Sequence, residues 1–233
     1  MESGLHAAGS THVGLVRKRN EDTMYLGESL FAIADGLGGH VAGDIASSAV
    51  IDAIRPFDVA AAVEDLAGTL GRAVDAANRA LRRRISDDPK VAGMGTTLVA
   101  ALISGATAVV ANVGDSRAYL LRDKVLLRVT DDHVMGRLLA NADVVPDLPE
   151  RLARFLDGRA DGRSPDLTPV NLHPGDRLLL CSDGLSSYVP VASIRAVLAE
   201  PEAPEPVAER LVGLALEQGG HDNITVIVVD YAG

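Results

Sequence analysis

The sequence predicts an α+β fold, with sheet in the middle of the chain's pattern and helices segregated outside it. Two observations carry this. Apolar runs of strand length follow one another through the middle of the chain with brief polar connections, and helical apolar spacing dominates on either side. The resulting order of strand, helices, several strands, strand, helices, strand lacks the strict alternation of a parallel βαβ sheet.

Residues 29–34 (SLFAIA) form a short apolar run stopped by Asp35-Gly36, which reads as a buried strand. Residues 43–54 (GDIASSAVIDAI) have helical spacing and end before Pro56. Residues 59–85 read as one long amphipathic helix, with a break near Gly68 or Gly71 as the alternative. Strands follow at 97–103, 107–113, 117–122 and 125–130, joined by SGA, GDS and DK, connections short enough for one antiparallel meander. Residues 134–174 are polar, carry Pro146, Pro149, Pro165 and Pro169, and are expected to be a mobile surface segment with a short helix near 151–156. A strand at 176–182, helices at 191–199 and 206–218 split by PEAPEP, and a last strand at 223–230 complete the chain. With no repeat and no long linker, the expectation is a single domain over 1–233 with a variable segment at about 134–173.

Composition bounds the function. The chain has 233 residues, 47% of them hydrophobic, enough to bury a core built from Ala, Val and Leu because Trp is absent. A net charge of −10 argues against a nucleic-acid or anionic-membrane partner, and the run Arg82-Arg83-Arg84 reads as a solvated helix face. The single cysteine, Cys181, excludes an internal disulfide, fits a reducing compartment and reads as a core thiol. No apolar run reaches the ~18 to 20 residues of a membrane helix, and the start of the chain lacks the pattern of a signal peptide. A cytoplasmic protein is expected.

The chemistry lies in the carboxylates. A lone Asp-Gly merely turns a chain, but two apolar strands end in it, at Asp35-Gly36 and Asp183-Gly184, and in neither case does a returning hairpin strand follow. Such an Asp sets a rigid carboxylate beside an accessible carbonyl, a pair suited to a hard divalent cation. Asp222, at the entry to the last strand, and Asp115, between two strands, repeat the arrangement, so four Asp residues can meet on one rim. Oxygen donors without a zinc-spaced Cys/His cluster favour Mg²⁺ or Mn²⁺, and a cation would also explain how clustered carboxylates coexist. In GLVRKRNED, Arg17 can place its fork on a phosphate while Glu21 and Asp22 face the metals through water. Arginine with paired metal carboxylates is the equipment of phosphate-ester hydrolysis.

GLVRKRNED, ADGLGGHVAGD, GMGTTLVAALI, ANVGDSRAYLL, VTDDH, PGDRLLLCSDGL and GHDNITVIVV occur in the order and spacing of the metal-dependent Ser/Thr protein phosphatases of type 2C, the PPM family. The chain resembles the compact bacterial members over about residues 9–230. The resemblance implies a four-layer α-β-β-α sandwich, two stacked and mainly antiparallel sheets flanked by helices. It implies that Asp35 bridges two Mn²⁺ or Mg²⁺ ions with help from the Gly36 carbonyl, and that Asp183 and Asp222 complete the first site. Glu21 and Asp22 would hold metal-bound waters, Arg17 the substrate phosphate, and Asp115 with Asp183 a weaker third metal. The reaction implied is hydrolysis of phosphoserine and phosphothreonine in proteins without a phosphoenzyme. Partners would be phosphorylated proteins and the Ser/Thr kinases that make them, with the phosphatase a monomer.

Where eukaryotic relatives carry a His directly after the Asp-Gly, this chain has Leu37. His40 is then the candidate general acid, a structural supporting role being the alternative. His133 and His221 match family positions read as positioning groups. The departures concentrate in residues 134–173, where Val134 replaces the usual Ser and only LARFLDG, with Arg154, is similar to the family's pattern. They bear on substrate choice and third-metal use. Two further readings are a phosphatase specific for one regulatory phosphoprotein and a pseudophosphatase that binds phosphoproteins without cleaving them.

Overall fold

Each long apolar run is buried on both faces, and this sets the layering. The computed structural model describes residues 4–37, 42–59, 65–134, 152–159 and 164–233. In chain order its strands are β1 (Leu5–His12), β2 (Asp22–Leu26), β3 (Leu30–Leu37), β4 (Gly95–Thr96), β5 (Leu98–Ser104) and β6 (Thr107–Val113). They continue with β7 (Arg117–Arg122), β8 (Val125–Arg128), β9 (Asp166–Asn171), β10 (Arg177–Cys181) and β11 (Ile224–Tyr231). The helices are α1 (Gly43–Ile54), α2 (Leu66–Asp87), α3 (Asp183–Ser186), α4 (Val191–Leu198) and α5 (Pro204–Glu217).

Two antiparallel sheets result, one ordered β1-β11-β10-β7-β8, the other β2-β3-β5-β6-β9 with β4 paired to β3. Alternate residues of each strand enter different cores. Phe31 and Ile33 of β3 meet Leu178 and Leu180 of β10 between the sheets. Leu30, Ala32 and Ala34 turn the other way onto α1 and α2. On the far side, Leu179 and Cys181 of β10 pack with α3, α4 and α5. The layers are therefore α-β-β-α, as expected. Small side chains such as Ala32, Ala46, Ala73 and Ala100, all fully buried, let α1 and α2 approach their sheet. Cys181 is buried, and burial pushes its thiol up to about 12, as befits a core thiol.

Four local expectations are corrected. Strands at 97–130 do not form one meander: β6 pairs with β5 and β9, β7 with β10 and β8, so the chain changes sheet between them. The crossing uses Gly114 at φ +126°, where a Cβ would lie 2.6 Å from that of Thr97. The long helix starts at Leu66 because the Asp65 side chain caps the Gly68 N–H at 2.8 Å, and neither Gly68 nor Gly71 breaks it. No helix occupies residues 152–156, which instead make isolated bridges, Leu152 to Val134 and Leu156 to Thr96. The segment from 134 to 174 also contributes β9, an edge strand among the described residues, where Pro169 has no second neighbour that needs its missing N–H. Among the described residues, no helix is long and apolar enough to cross a membrane.

Candidate active site

Antiparallel pairing puts Asp22, first residue of β2, opposite Asp35 near the end of β3. Asp183 opens α3 directly after β10, Asp222 stands just before β11, and Asp115 lies in the crossing from one sheet to the other. All of these positions belong to one end of the sandwich. A cavity of about 520 Å³ opens there, and Asp35, Asp115, Asp183 and Asp222 line it together with Arg17, Glu21 and the backbone of Gly36. The sequence-predicted carboxylates thus converge. Asp22 stays behind the wall, where Ser182 and Thr225 donate hydroxyl hydrogen bonds to its Oδ2 at 2.9 and 2.6 Å.

The electrostatics of this cluster are unfavourable without a counter-ion. Burial pushes Asp22 up to about 6 against the help of the Thr225 and Ser182 hydroxyls. Burial and then the charge of Asp183 push Asp115 up to about 7. Asp35 is held well above the usual carboxylate range by burial and by Asp22, Asp183, Asp115 and Asp222. Asp183 rises through burial and the charge of Asp222. In this cluster, Asp22 Oδ1 and Asp183 Oδ1 are buried without a hydrogen-bond partner among the described residues. All-oxygen donors, unsatisfied lone pairs and mutual repulsion are what a hard divalent cation relieves, so the residues fit one. Among the described residues, no three His, Cys, Asp or Glu side chains form a ready-made cage. A cation here needs backbone carbonyl and water oxygens as well.

Gly36 is pressed between neighbours that leave no room for a side chain: a Cβ would overlap the Gly43 carbonyl and lie 2.7 Å from the Glu21 carbonyl oxygen. Its N–H donates to that Glu21 oxygen at 3.2 Å. The Glu21 carboxylate rests against Gly43, so it faces the positive end of the α1 dipole. Threonines fix Asp35 from below: Thr97 N–H and Thr96 Oγ1 donate to its carbonyl oxygen at 2.9 and 2.8 Å.

Arg17 donates to Asp222 Oδ2 at 2.6 Å. That bond, partly offset by burial, raises the Arg17 pKa. The loop that carries Arg17 is held by one amide: Asn223 Nδ2 donates to the carbonyls of Val13 and Arg19, each at 2.9 Å, and its Oδ1 accepts from Glu21 N–H at 2.8 Å. His133 is buried, its Nδ1 accepting from Gly114 N–H at 3.0 Å and its Nε2 lying 2.9 Å from Asp166 Oδ2. It therefore ties the Asp115 loop to β9, a positioning arrangement. His221 packs its ring on Tyr188, centroids 5.0 Å apart. Arg154 reaches Asp166 Oδ1 at 2.7 Å. His40 lies outside the described residues, as do residues 135–151 and 160–163 of the variable segment.

A model of the family described as Protein phosphatase 2C matches residues 18–218. The chain belongs to that family. Within the protein phosphatase 2C family, it is 42% identical over 97% of its length to the serine/threonine protein phosphatase PstP of Mycobacterium tuberculosis, of which it covers 45%. It thus spans less than half of that relative. It is 33% identical to the serine/threonine phosphatase Stp of Listeria innocua, with 97% of this chain and 96% of that protein covered. Among solved structures, the catalytic domain of PstP in complex with two manganese ions superposes with a TM-score of 0.89 at 42% identity, covering 97% of each chain. The four-layer fold is that of a 2C-type phosphatase.

Asn223, Ser182 and Thr225 were not foreseen as site residues. A faint signal exists: each is a polar residue at the end of an apolar run, SDG after RLLLC and DNIT before VIVV. Lys18 and Arg19 line the cavity beside Arg17, and the motif GLVRKRNED carries them without marking them as site residues.

Proposed function

We propose that this 2C-type chain is a metal-dependent protein serine/threonine phosphatase, hydrolysing phosphoserine and phosphothreonine in proteins. The observation that carries the reading is the convergence of Asp35, Asp115, Asp183, Asp222 and Arg17 on one cavity, with one oxygen of Asp183 and one of Asp22 behind it left unsatisfied among the described residues. Asp35, the Gly36 carbonyl, Asp183 and Asp222 would hold two Mn²⁺ or Mg²⁺ ions, with Glu21 and Asp22 reaching them through water and Asp115 joining Asp183 at a third. When bound, the ions supply Lewis acidity, which lowers the pKa of water and neutralises charge on a phosphoryl group. Arg17 orients the phosphate through its fork and stabilises charge on the non-bridging oxygens. His40 is the candidate proton donor to the leaving alkoxide.

No metal-ligand type that the reaction requires is missing from the sequence, which supports catalysis over a phosphoprotein-binding pseudophosphatase. The substrates are phosphorylated proteins made by Ser/Thr kinases; a monomer acting in the cytoplasm is part of the same proposal. The test is hydrolysis of a phosphothreonine peptide and of p-nitrophenyl phosphate with Mn²⁺, Mg²⁺ or EDTA, beside Asp35→Asn. Metal-dependent turnover lost on chelation and in the variant is expected. Metal binding without turnover of either substrate would overturn the reading.

A further inference from the structure

We infer that Lys18 and Arg19 form a second anion subsite on the lip of the active-site cavity, which takes a second phosphoryl group carried by the same peptide. The inference rests on the phosphatase reading above and names a substrate class for it. Residues 15 to 19 are all exposed, and Lys18 and Arg19 line the cavity that holds Asp35 and Asp183. The backbone that presents them is fixed. Leu15 N–H donates to Gly220 O at 2.7 Å, and Asn223 grips the carbonyls of Val13 and Arg19. Gly14, at φ +82°, brings the chain so close to Gly220 that a Cβ would lie 2.7 Å from its carbonyl oxygen.

Of the three cations that line the cavity, Arg17, Lys18 and Arg19, pairing leaves the last two open. Arg17 is engaged by Asp222, and Arg117, Arg122, Arg154, Arg177 and Arg210 each have a carboxylate partner. Among the described residues, Lys18 and Arg19 have none, although the chain carries 32 acidic side chains against 22 basic ones. Divalent cations on the cavity floor would neutralise the carboxylates there, so the lip charges face the incoming substrate. An ammonium and a guanidinium together offer two positive charges and a fan of N–H donors. That matches the charge of about −1.5 to −2 and three acceptor oxygens of a phosphoryl group better than a single carboxylate. Arg17 and Arg19 are two residues apart, at most roughly 7 Å of extended chain. With the reach of the two side chains added, the second phosphoryl falls within a few positions of the one hydrolysed, and a spacing of two is the one to test.

The experiment compares wild type with the Lys18→Ala/Arg19→Ala variant on three threonine peptides of one sequence, assayed with Mn²⁺ at low ionic strength. One carries a single phosphate, one a second phosphothreonine two positions away, and one Glu at that second position. Using the ratio of kcat/KM between peptides within one preparation cancels any change in overall turnover. Wild type is expected to favour the doubly phosphorylated peptide by about tenfold, mainly through KM, as one or two charge-assisted hydrogen bonds would give. The variant should bring that ratio near one. A wild-type ratio near one, or an unchanged ratio in the variant, would overturn the subsite alone. Equal gains from Glu and phosphothreonine would overturn its assignment to a phosphoryl group. Absence of metal-dependent turnover on all peptides and on p-nitrophenyl phosphate would overturn the phosphatase reading and the subsite with it.

Discussion

Arg17 and Asp222 meet at 2.6 Å across the mouth of the cavity, so the group proposed for the substrate phosphate and a group proposed for a cation are paired with each other. A cation held by Asp222 would compete for that carboxylate and free the guanidinium. Replacing Arg17 by Ala should lower kcat/KM for a phosphopeptide by about 10²-fold, the scale of one lost charge-stabilising group. The melting temperature should barely move, because the Arg17 side chain is 55% exposed and such ion pairs are worth ~0–1 kcal/mol. Arg17→Lys keeps the charge but not the fork and should restore only part of the loss. Unchanged kcat/KM in Arg17→Ala would contradict the assignment.

Asn223 is the staple of the loop that carries Arg17. Its truncation to Ala removes three hydrogen bonds to Val13, Arg19 and Glu21 at a buried position. A loss of about 1–3 kcal/mol in urea unfolding is expected from the stranded backbone groups. Phosphopeptide KM should rise, because the loop that carries Arg17 is no longer fixed. Asn223→Asp keeps the shape but turns a donor into an acceptor facing two carbonyls, so it should do no better than Ala. A variant as stable and active as wild type would show that the loop holds itself.

The carboxylate cluster makes a pH prediction with a definite sign. Asp22 and Asp115 are raised to about 6 and 7 from an ordinary value of 3.8. Between roughly pH 4 and 7 the folded metal-free chain therefore binds more protons at these groups than the unfolded chain. Their contribution to stability is full at low pH and lost as pH rises through that window. In EDTA the melting temperature should fall between about pH 5 and pH 7.5, and Asp115→Asn should soften the fall. Mn²⁺ should raise it more at the higher pH, where it displaces fewer protons. Equal Mn²⁺ shifts at both values would show that these carboxylates do not hold the ion.

How much of this was legible in the sequence depends on what each residue faces. β10 is buried along its whole length, and the run RLLLC shows it; β1, LHAAGSTH, is mostly half-exposed and built of small residues, so it carries no run to read. The meander failed because SGA and GDS are equally short, and nothing within GDS says which sheet the next strand joins. That choice is made by partners far along the chain, β9 for β6 and β10 for β7. The metal-type carboxylates were visible because Asp-Gly interrupts apolar runs at Asp35 and Asp183. Asn223 was not, since its importance lies in carbonyls some 200 residues away in sequence.

Two glycine substitutions should act in opposite directions, and together they test whether tight packing at the cavity is local. Gly36→Ala would drive its Cβ into the Gly43 carbonyl, with the Glu21 carbonyl oxygen 2.7 Å away. These are backbone atoms, so no rotamer change relieves the clash; either the start of α1 or the start of β2 must move. A cost of about 1–3 kcal/mol is expected, as for other overpacked sites. The Mn²⁺-dependent rise in melting temperature should shrink with it, because Glu21 and Asp35 flank the displaced backbone. Gly71 lies within α2, where among the described residues an added Cβ meets only Leu167 Cδ1 at 3.8 Å. Alanine there removes a helix-interior glycine without a clash and should stabilise the chain by about 0.4–1 kcal/mol. Its Mn²⁺ response should match wild type. If Gly71→Ala instead weakened the Mn²⁺ response as much as Gly36→Ala does, the site would depend on the whole α1 and α2 layer rather than on the contact of Gly36 with Gly43.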